Sequence, residues 1–274
     1  MLINHGARAT GKSFLKISAA LLIAASVAGC AKDHTITGSL TRSQGKRIDQ
    51  MSTRELQGAA NSLGEAYARS PTDKLTALRY ANVLQMNGNS DQSLAVMRKL
   101  AIALPKDRSV LAAYGKALAA NGQFEPALDA VRRAQTPEYP DWKLLSAEAA
   151  ILDQLGQAQP ARELYRKALD LKPNEPSVLS NLGMSYVLAG DLRTAEEYMR
   201  SASQQPDADS RVRQNLALVV GLQGRFPEAE QIASQELSPD QAQANVAYLR
   251  SMLSQQNAWN QLKDDDKKKQ NQTN

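Results

Sequence analysis

From residue 51 onward, the small, apolar and polar positions of the chain repeat at long range. Gly88, Gly122, Gly156, Gly190 and Gly224 are spaced by 34 residues, too regular a recurrence to arise by chance among 15 glycines. Seven residues before each glycine stands a small residue: Ala81, Gly115, Ala149, Gly183 and Ala217. Five residues after each stands another, Ser93, Ala127, Ala161, Ala195 or Ala229. Leu84, Leu118, Leu152, Tyr186 and Val220 lie four before the glycine, and Pro105 and Pro173 lie 17 after it. Each of these residue types suits a place in a pair of antiparallel helices. Glycine takes the left-handed conformation that ends the first helix of a pair. The small residues let the two helices approach at the short end of the usual separation of about 8–10 Å. Proline, with Asp107, Asn174 or Asp209 nearby, stops one pair and caps the next. A single pair cannot bury its apolar face, so neighbouring pairs stack to build the core.

This pattern resembles the tetratricopeptide repeat (TPR), and the resemblance covers about 190 residues. The clearest copy is "LSNLGMSYVLAGDLRTAEEYMRSASQQP", residues 179–206, in which Leu182-Gly183, Tyr186, Ala195, Ala202 and Pro206 stand at or beside the family positions. The resemblance implies an all-α, right-handed TPR superhelix, an α-solenoid. A solenoid over 51–262 divides into a half repeat at 51–73, repeats at 74–107, 108–141, 142–175, 176–209 and 210–237, and a capping helix at 238–262. Ala59, Leu63 and Ala66 place the half repeat on the second-helix frame. Beyond Leu237 the frame is lost; Ser238 caps a last helix with Pro239 in its first turn and Val246, Leu249 and Leu253 on one face. The tail at 263–274, "KDDDKKKQNQTN", is polar and neutral overall and is expected to be disordered.

The N-terminus carries a different signal. Arg8, Lys12 and Lys16 precede "ISAALLIAASVAG", residues 17–29, with no acidic residue before Cys30. That run is too short to cross a bilayer core, which needs about 20 apolar residues, and it reads as an export signal at 1–29. Val27-Ala28-Gly29-Cys30 resembles the lipobox of bacterial lipoproteins. The resemblance implies diacylglycerol on the Cys30 thiol, cleavage before it and acylation of the new amine, enough acyl chains for stable attachment. Ala31, rather than Asp, after the cysteine implies sorting to the outer membrane, so the expected location is its periplasmic face. Residues 30–50 then form the lipidated cysteine and a polar tether, which as a coil spans roughly 25 Å.

Composition and charge narrow the function. Cys30 is the only cysteine, which excludes an intramolecular disulfide and a Cys-rich metal site. Three Phe and two Trp leave a core built on Ala and Leu, good helix formers. The net charge is +5, and without the three positive charges of the leader it falls to +2, so no nucleic-acid partner is inferred. Beyond the leader the one histidine is His34, read as a solvated tether residue. No phosphate loop, zinc motif or nucleophile elbow appears, so neither an enzyme nor a cofactor is expected. Glu163, Glu196 and Glu197 read as solvated helix faces.

TPR proteins receive protein segments in a concave groove lined by the first helices. Carried over to this chain, the family's groove positions are Arg79, Asn82, Lys116, Lys143, Asn181, Arg211 and Asn215. This set has no carboxylate, although Asp153 lies further along its helix. It loosely resembles the clamp some family members use for a terminal carboxylate. The family's paired Lys and Asn on one first helix is missing, with Ala112 and Lys116 or Leu78 and Asn82 in its places. Residues 213–253 resemble the corresponding end of the TPR lipoproteins of the tight-adherence (Tad, or Flp pilus) machinery. That implies an accessory role at the outer membrane, with the secretin or other pilus secretion components as protein partners. Two alternatives stay open: a TPR lipoprotein scaffold for envelope or outer-membrane protein assembly, and a periplasmic TPR module regulating an enzyme.

Overall fold

The computed structural model describes residues 51–136, 138 and 140–272, with side-chain surroundings as far as residue 256. The export signal, Cys30 and the tether lie outside the described residues. Twelve helices follow one another: α1 (Thr53–Arg69), α2 (Lys74–Met86), α3 (Ser90–Ala103), α4 (Arg108–Ala120), α5 (Phe124–Ala134), α6 (Trp142–Gln154), α7 (Ala158–Leu171), α8 (Pro176–Leu188), α9 (Leu192–Ser203), α10 (Ser210–Leu222), α11 (Phe226–Ala233) and α12 (Pro239–Gln272). No β-strand occurs among the described residues. Each even-numbered helix from α2 to α10 pairs with the helix after it, and each pair stacks on the next. The architecture is an α-solenoid.

Short-range chemistry sets where each helix starts and stops. Asp73, Asp107, Asp141 and Asp209 are N-caps of first helices, their side-chain oxygens accepting the backbone N–H of Thr76, Val110, Lys143 and Val212 at 2.8–3.1 Å. The series breaks at Glu175, which makes no side-chain cap; there Pro176 opens the helix with its φ already set. Asn174, which the sequence suggests as a cap, instead takes a left-handed φ of 59° and turns the chain. Asn tolerates that region better than other side chains. At the other end, the five glycines at the 34-residue spacing have φ of 71–81°. The following N–H returns to a carbonyl of the last turn, as Gln157 does to Leu152 at 2.8 Å, satisfying an orphan acceptor.

The pairs close over small residues. A Cβ added at Gly115 would stand 2.6 Å from Cγ2 of Val131, and one at Gly183 would stand 2.9 Å from Cγ of Met199. Facing them, Ala127 and Ala195 are fully buried, as is Ala161 opposite Ala149 in the pair between. Around these contacts lie Met97, Leu100, Leu118, Val131, Leu152, Tyr165, Leu182 and Met199, each contributing on the order of 1.5–3 kcal/mol by leaving water.

Polar ties join successive pairs. Lys74 Nζ reaches Asp107 Oδ2 at 2.6 Å. Between the second and third pairs, Glu148 accepts from Arg132 Nε at 2.7 Å and Gln135 Nε2 at 2.6 Å. Buried Arg162 donates to Ser185 Oγ and to its carbonyl at 3.2 and 3.1 Å, with its guanidinium 4.1 Å from the Tyr186 ring centroid. Ser185 Oγ in turn donates to Asp153 Oδ1 at 2.8 Å, and burial raises the Asp153 carboxyl above its usual range. Glu163 and Glu197 are exposed, as a solvated face requires. Glu196 corrects that reading. Its carboxylate accepts from Arg225 at 2.7 and 2.8 Å, from Gln223 at 2.7 Å and from Arg200 at 2.7 Å. Its place at the junction of α9 with the next pair turns it inward, where these cations converge.

The last helix ends the stack. Ala242, Val246 and Leu249 of α12 repeat the spacing of Val212, Leu216 and Val219 on α10, and are buried. Where α10 buries Ala217 and Val220 at the interface with its own partner helix, α12 exposes Ala247 and Arg250. A polar outer face of this kind terminates a repeat array. α12 continues to Gln272, past the expected end at 262, so residues 263–272 of the expected disordered tail are helical. No glycine or proline after Pro239 interrupts the helix.

Candidate protein-binding groove

Stacking pairs in one direction brings the first helices α2, α4, α6, α8 and α10 side by side. Each presents outward the residues just before its buried row, and the 34-residue spacing makes these equivalent. Lys143, Ser177 and Arg211 share one place near the helix N-termini, and Asn82, Lys116 and Ala150 share another about two turns on. Together with Met86, Trp142, Ser146, Ala147, Asn181, Asp209 and Ser210 they line a cavity of about 1290 Å³.

Five of the seven groove residues taken from the sequence therefore meet at one cavity: Asn82, Lys116, Lys143, Asn181 and Arg211. Arg79 is exposed on α2 outside its lining, and Asn215 lies partly buried on α10, also outside it. Both asparagines of the later repeats have part of their bonding spent within the stack. Asn181 Nδ2 donates to Ser146 Oγ at 3.2 Å, and Asn215 Nδ2 donates to Ser180 Oγ at 3.1 Å, the same bond one repeat further on.

The groove is not free of carboxylates, as the carried-over set suggested. Asp209 lines it, and Arg211 donates to Asp209 Oδ2 through Nε at 3.0 Å and Nη2 at 2.8 Å. Burial works to raise the Asp209 carboxyl, but the Arg211 guanidinium and the Val212 amide outweigh it, and the group lies below its usual range. The reason is local: the residue that caps α10 stands two positions before the one that enters the groove. Lys143 Nζ lies 5.3 Å from the Trp142 ring centroid, so the aromatic face supports one of the cations. Asp153 is turned into the stack toward Ser185 and does not neutralise the groove. Trp142 and Ser146 were missed from the sequence, although Trp142 directly precedes Lys143 and Ser146 lies 35 residues before Asn181.

Among the described residues no group of His, Cys, Asp and Glu is placed to hold a metal ion. None of their helices is long and apolar enough to cross a membrane.

Antiparallel helix pairs stacked around a polar groove define a helical-repeat solenoid. The tetratricopeptide-repeat family model matches residues 144–175. No curated protein sequence matches the chain. Among solved structures, the chain is similar to PilW, a widely conserved type IV pilus biogenesis factor, at 20% identity over 73% of this chain and 91% of that one, with a TM-score of 0.55. It is similar to a tetratricopeptide repeat protein from Parabacteroides merdae at 17% identity, over 74% and 81% of the two chains, with a TM-score of 0.53. It also matches 40% of a chain of the APC/C hetero-tetramer Cut9-Hcn1, at 17% identity over 74% of its own length and a TM-score of 0.56. At these identities the likeness is one of fold, and the fold is a TPR solenoid.

Proposed function

We propose that this chain is a non-enzymatic protein-interaction scaffold, held by a lipidated Cys30 at the periplasmic face of the outer membrane. Its role is to assist assembly of a Tad/Flp pilus, with the secretin or a neighbouring secretion component as partner. One observation carries the scaffold reading: Lys116, Lys143 and Arg211 gather on three first helices around a single open cavity. A groove with that charge favours an acidic segment or a free carboxyl end, and a charged hydrogen bond there is worth roughly 1.5–3 kcal/mol. The pilus role rests on the resemblance of residues 213–253 to the TadD lipoproteins of that machinery. The fold suits it, since PilW, built on the same architecture, is a type IV pilus biogenesis factor.

Three experiments test the reading. Cys30→Ser is expected to abolish fractionation with membranes while leaving the repeats folded; normal detergent-phase partitioning of the variant would sink the anchor. Deletion of the gene is expected to remove Flp pili. Restoration by the wild type but not by Lys143→Glu with Arg211→Glu, at unchanged helicity and melting temperature, supports the groove. Raised salt is expected to weaken capture of the partner by the wild type, as exposed electrostatics require.

A further inference from the structure

The groove is not uniform from end to end. On each first helix the concave row consists of two places near the N-terminus and two about two to three turns further on. At the far pair of places α4 and α6 differ from the later repeats, while α2 carries Asn82 and Met86 there. α4 has Lys116 and Ala120, and α6 has Ala150 and Gln154. α8 has Met184 and Leu188, and α10 has Leu218 and Leu222. The row continues onto α12. Its buried residues Ala242, Val246 and Leu249 match Val212, Leu216 and Val219 of α10, which puts Tyr248 and Met252 at the places of Leu218 and Leu222.

Three adjacent helices thus carry six apolar side chains in one strip, and the strip is open to water. Leu188 is 47% exposed, Tyr248 58% and Met252 38%, while Met184, Leu218 and Leu222 are partly buried. Among the described residues these are three of the seven large apolar side chains that stand exposed. A contiguous apolar patch of this sort on a polar surface marks a contact site. Its neighbours define what fits it. About 10 Å along α10 toward its N-terminus lies Arg211, seven residues before Leu218 and paired with Asp209; Ser177 holds that place on α8 and Lys143 holds it on the neighbouring α6.

We propose that this strip, together with the cations beside it, seats an acidic amphipathic helix of a partner protein, its apolar side chains on the strip and its carboxylates toward Lys143 and Arg211. The spacing suits a helix. Packed helices lie about 8–10 Å apart, and seven residues of a helix rise about 10 Å, so anchors at every seventh residue suit α8, α10 and α12 in turn. The inference rests on the scaffold reading and adds the chemistry of the partner. The chain's own tether is not the occupant, since residues 31–50 have more basic than acidic groups and no apolar period.

The test uses the full chain carrying Cys30→Ser, so that no acyl chain contributes, and two synthetic helical peptides of about 20 residues. Both have leucine at every seventh position; one has glutamate at its flanking positions and the other lysine. Fluorescence anisotropy should show the glutamate peptide binding the chain and the lysine peptide binding far more weakly. Leu188→Ser with Tyr248→Ser changes two exposed side chains, so circular dichroism and melting should be preserved while affinity for the glutamate peptide falls about ten-fold. Lys143→Glu with Arg211→Glu should weaken it as well. If only the charge-reversed variant loses affinity, the apolar strip is not part of the site and the inference fails while the scaffold reading stands. Equal binding of both peptides overturns the acidic partner. Absence of binding to the parent chain, with the pilus phenotype of the charge reversal intact, overturns the helix and leaves the groove to another kind of segment.

Discussion

Ala161 of α7 shows how a single position sets the distance between two helices. It is fully buried against Ala149 of α6, at the place that Ala127 and Ala195 hold in the neighbouring repeats. Two residues on, Glu163 points away from the pair and is exposed. Ala161→Leu is expected to destabilise the solenoid by roughly 1–3 kcal/mol through overpacking. Glu163→Leu should change it by no more than about 0.5 kcal/mol. Thermal melts in which the two variants coincide would mean that the 34-residue frame misplaces the packed face. This layer was legible from sequence because a small residue at a fixed spacing has few other reasons to recur. The sequence could not show which carboxylate beside such a position turns inward. Glu163, Glu196 and Glu197 look alike as letters, yet only Glu196 meets cations from another repeat.

At the scale of the elements, Glu196 locks α9 to α10 and α11. Arg225 foremost, then Gln223 and Arg200, hold its carboxyl down to about 2 from an ordinary 4.5, against the opposing effect of burial. A carboxyl lowered in the folded state contributes stability that is fully present above its unfolded value. That contribution is lost as pH falls from about 4.5 toward 2. The wild type should therefore lose stability across that window, and Glu196→Gln should be less stable near neutrality with a flatter profile below pH 4.5. Parallel profiles for the two proteins in acid denaturation would remove Glu196 from the lock. Ties of this sort depend on residues 27–29 apart that share no motif, such as Gln223 and Arg225 reaching back to Glu196. The repeat period locates the helices but is silent on these partners. The same limit explains Asp209, which the spacing marks as a cap and only the folded chain reveals as a groove carboxylate beside Arg211.

For the whole molecule, the question is what keeps an open stack from fraying or adding further copies. A repeat array is held mainly by contacts between neighbours, so its end pair has a partner on one side only. Here α12 supplies that missing side. Val246 and Leu249 bury against α10 and α11, Leu249 approaching Gly221 so closely that an added Cβ would stand 2.6 Å from its Cδ2. Arg250 lies 4.6 Å from the Phe226 ring centroid, covering the end of the stack with charge. Each of the two buried side chains is worth about 1.5–3 kcal/mol. Ending the chain after Leu237 is therefore expected to lower the melting temperature and to speed hydrogen exchange in α10 and α11, with α2 to α7 little changed. Uniform loss of protection throughout would show instead that the solenoid unfolds as one unit with α12 as its keystone. Unchanged exchange in α10 and α11 would mean that α12 is no cap at all, and that its main contribution is Tyr248 and Met252 at the end of the groove.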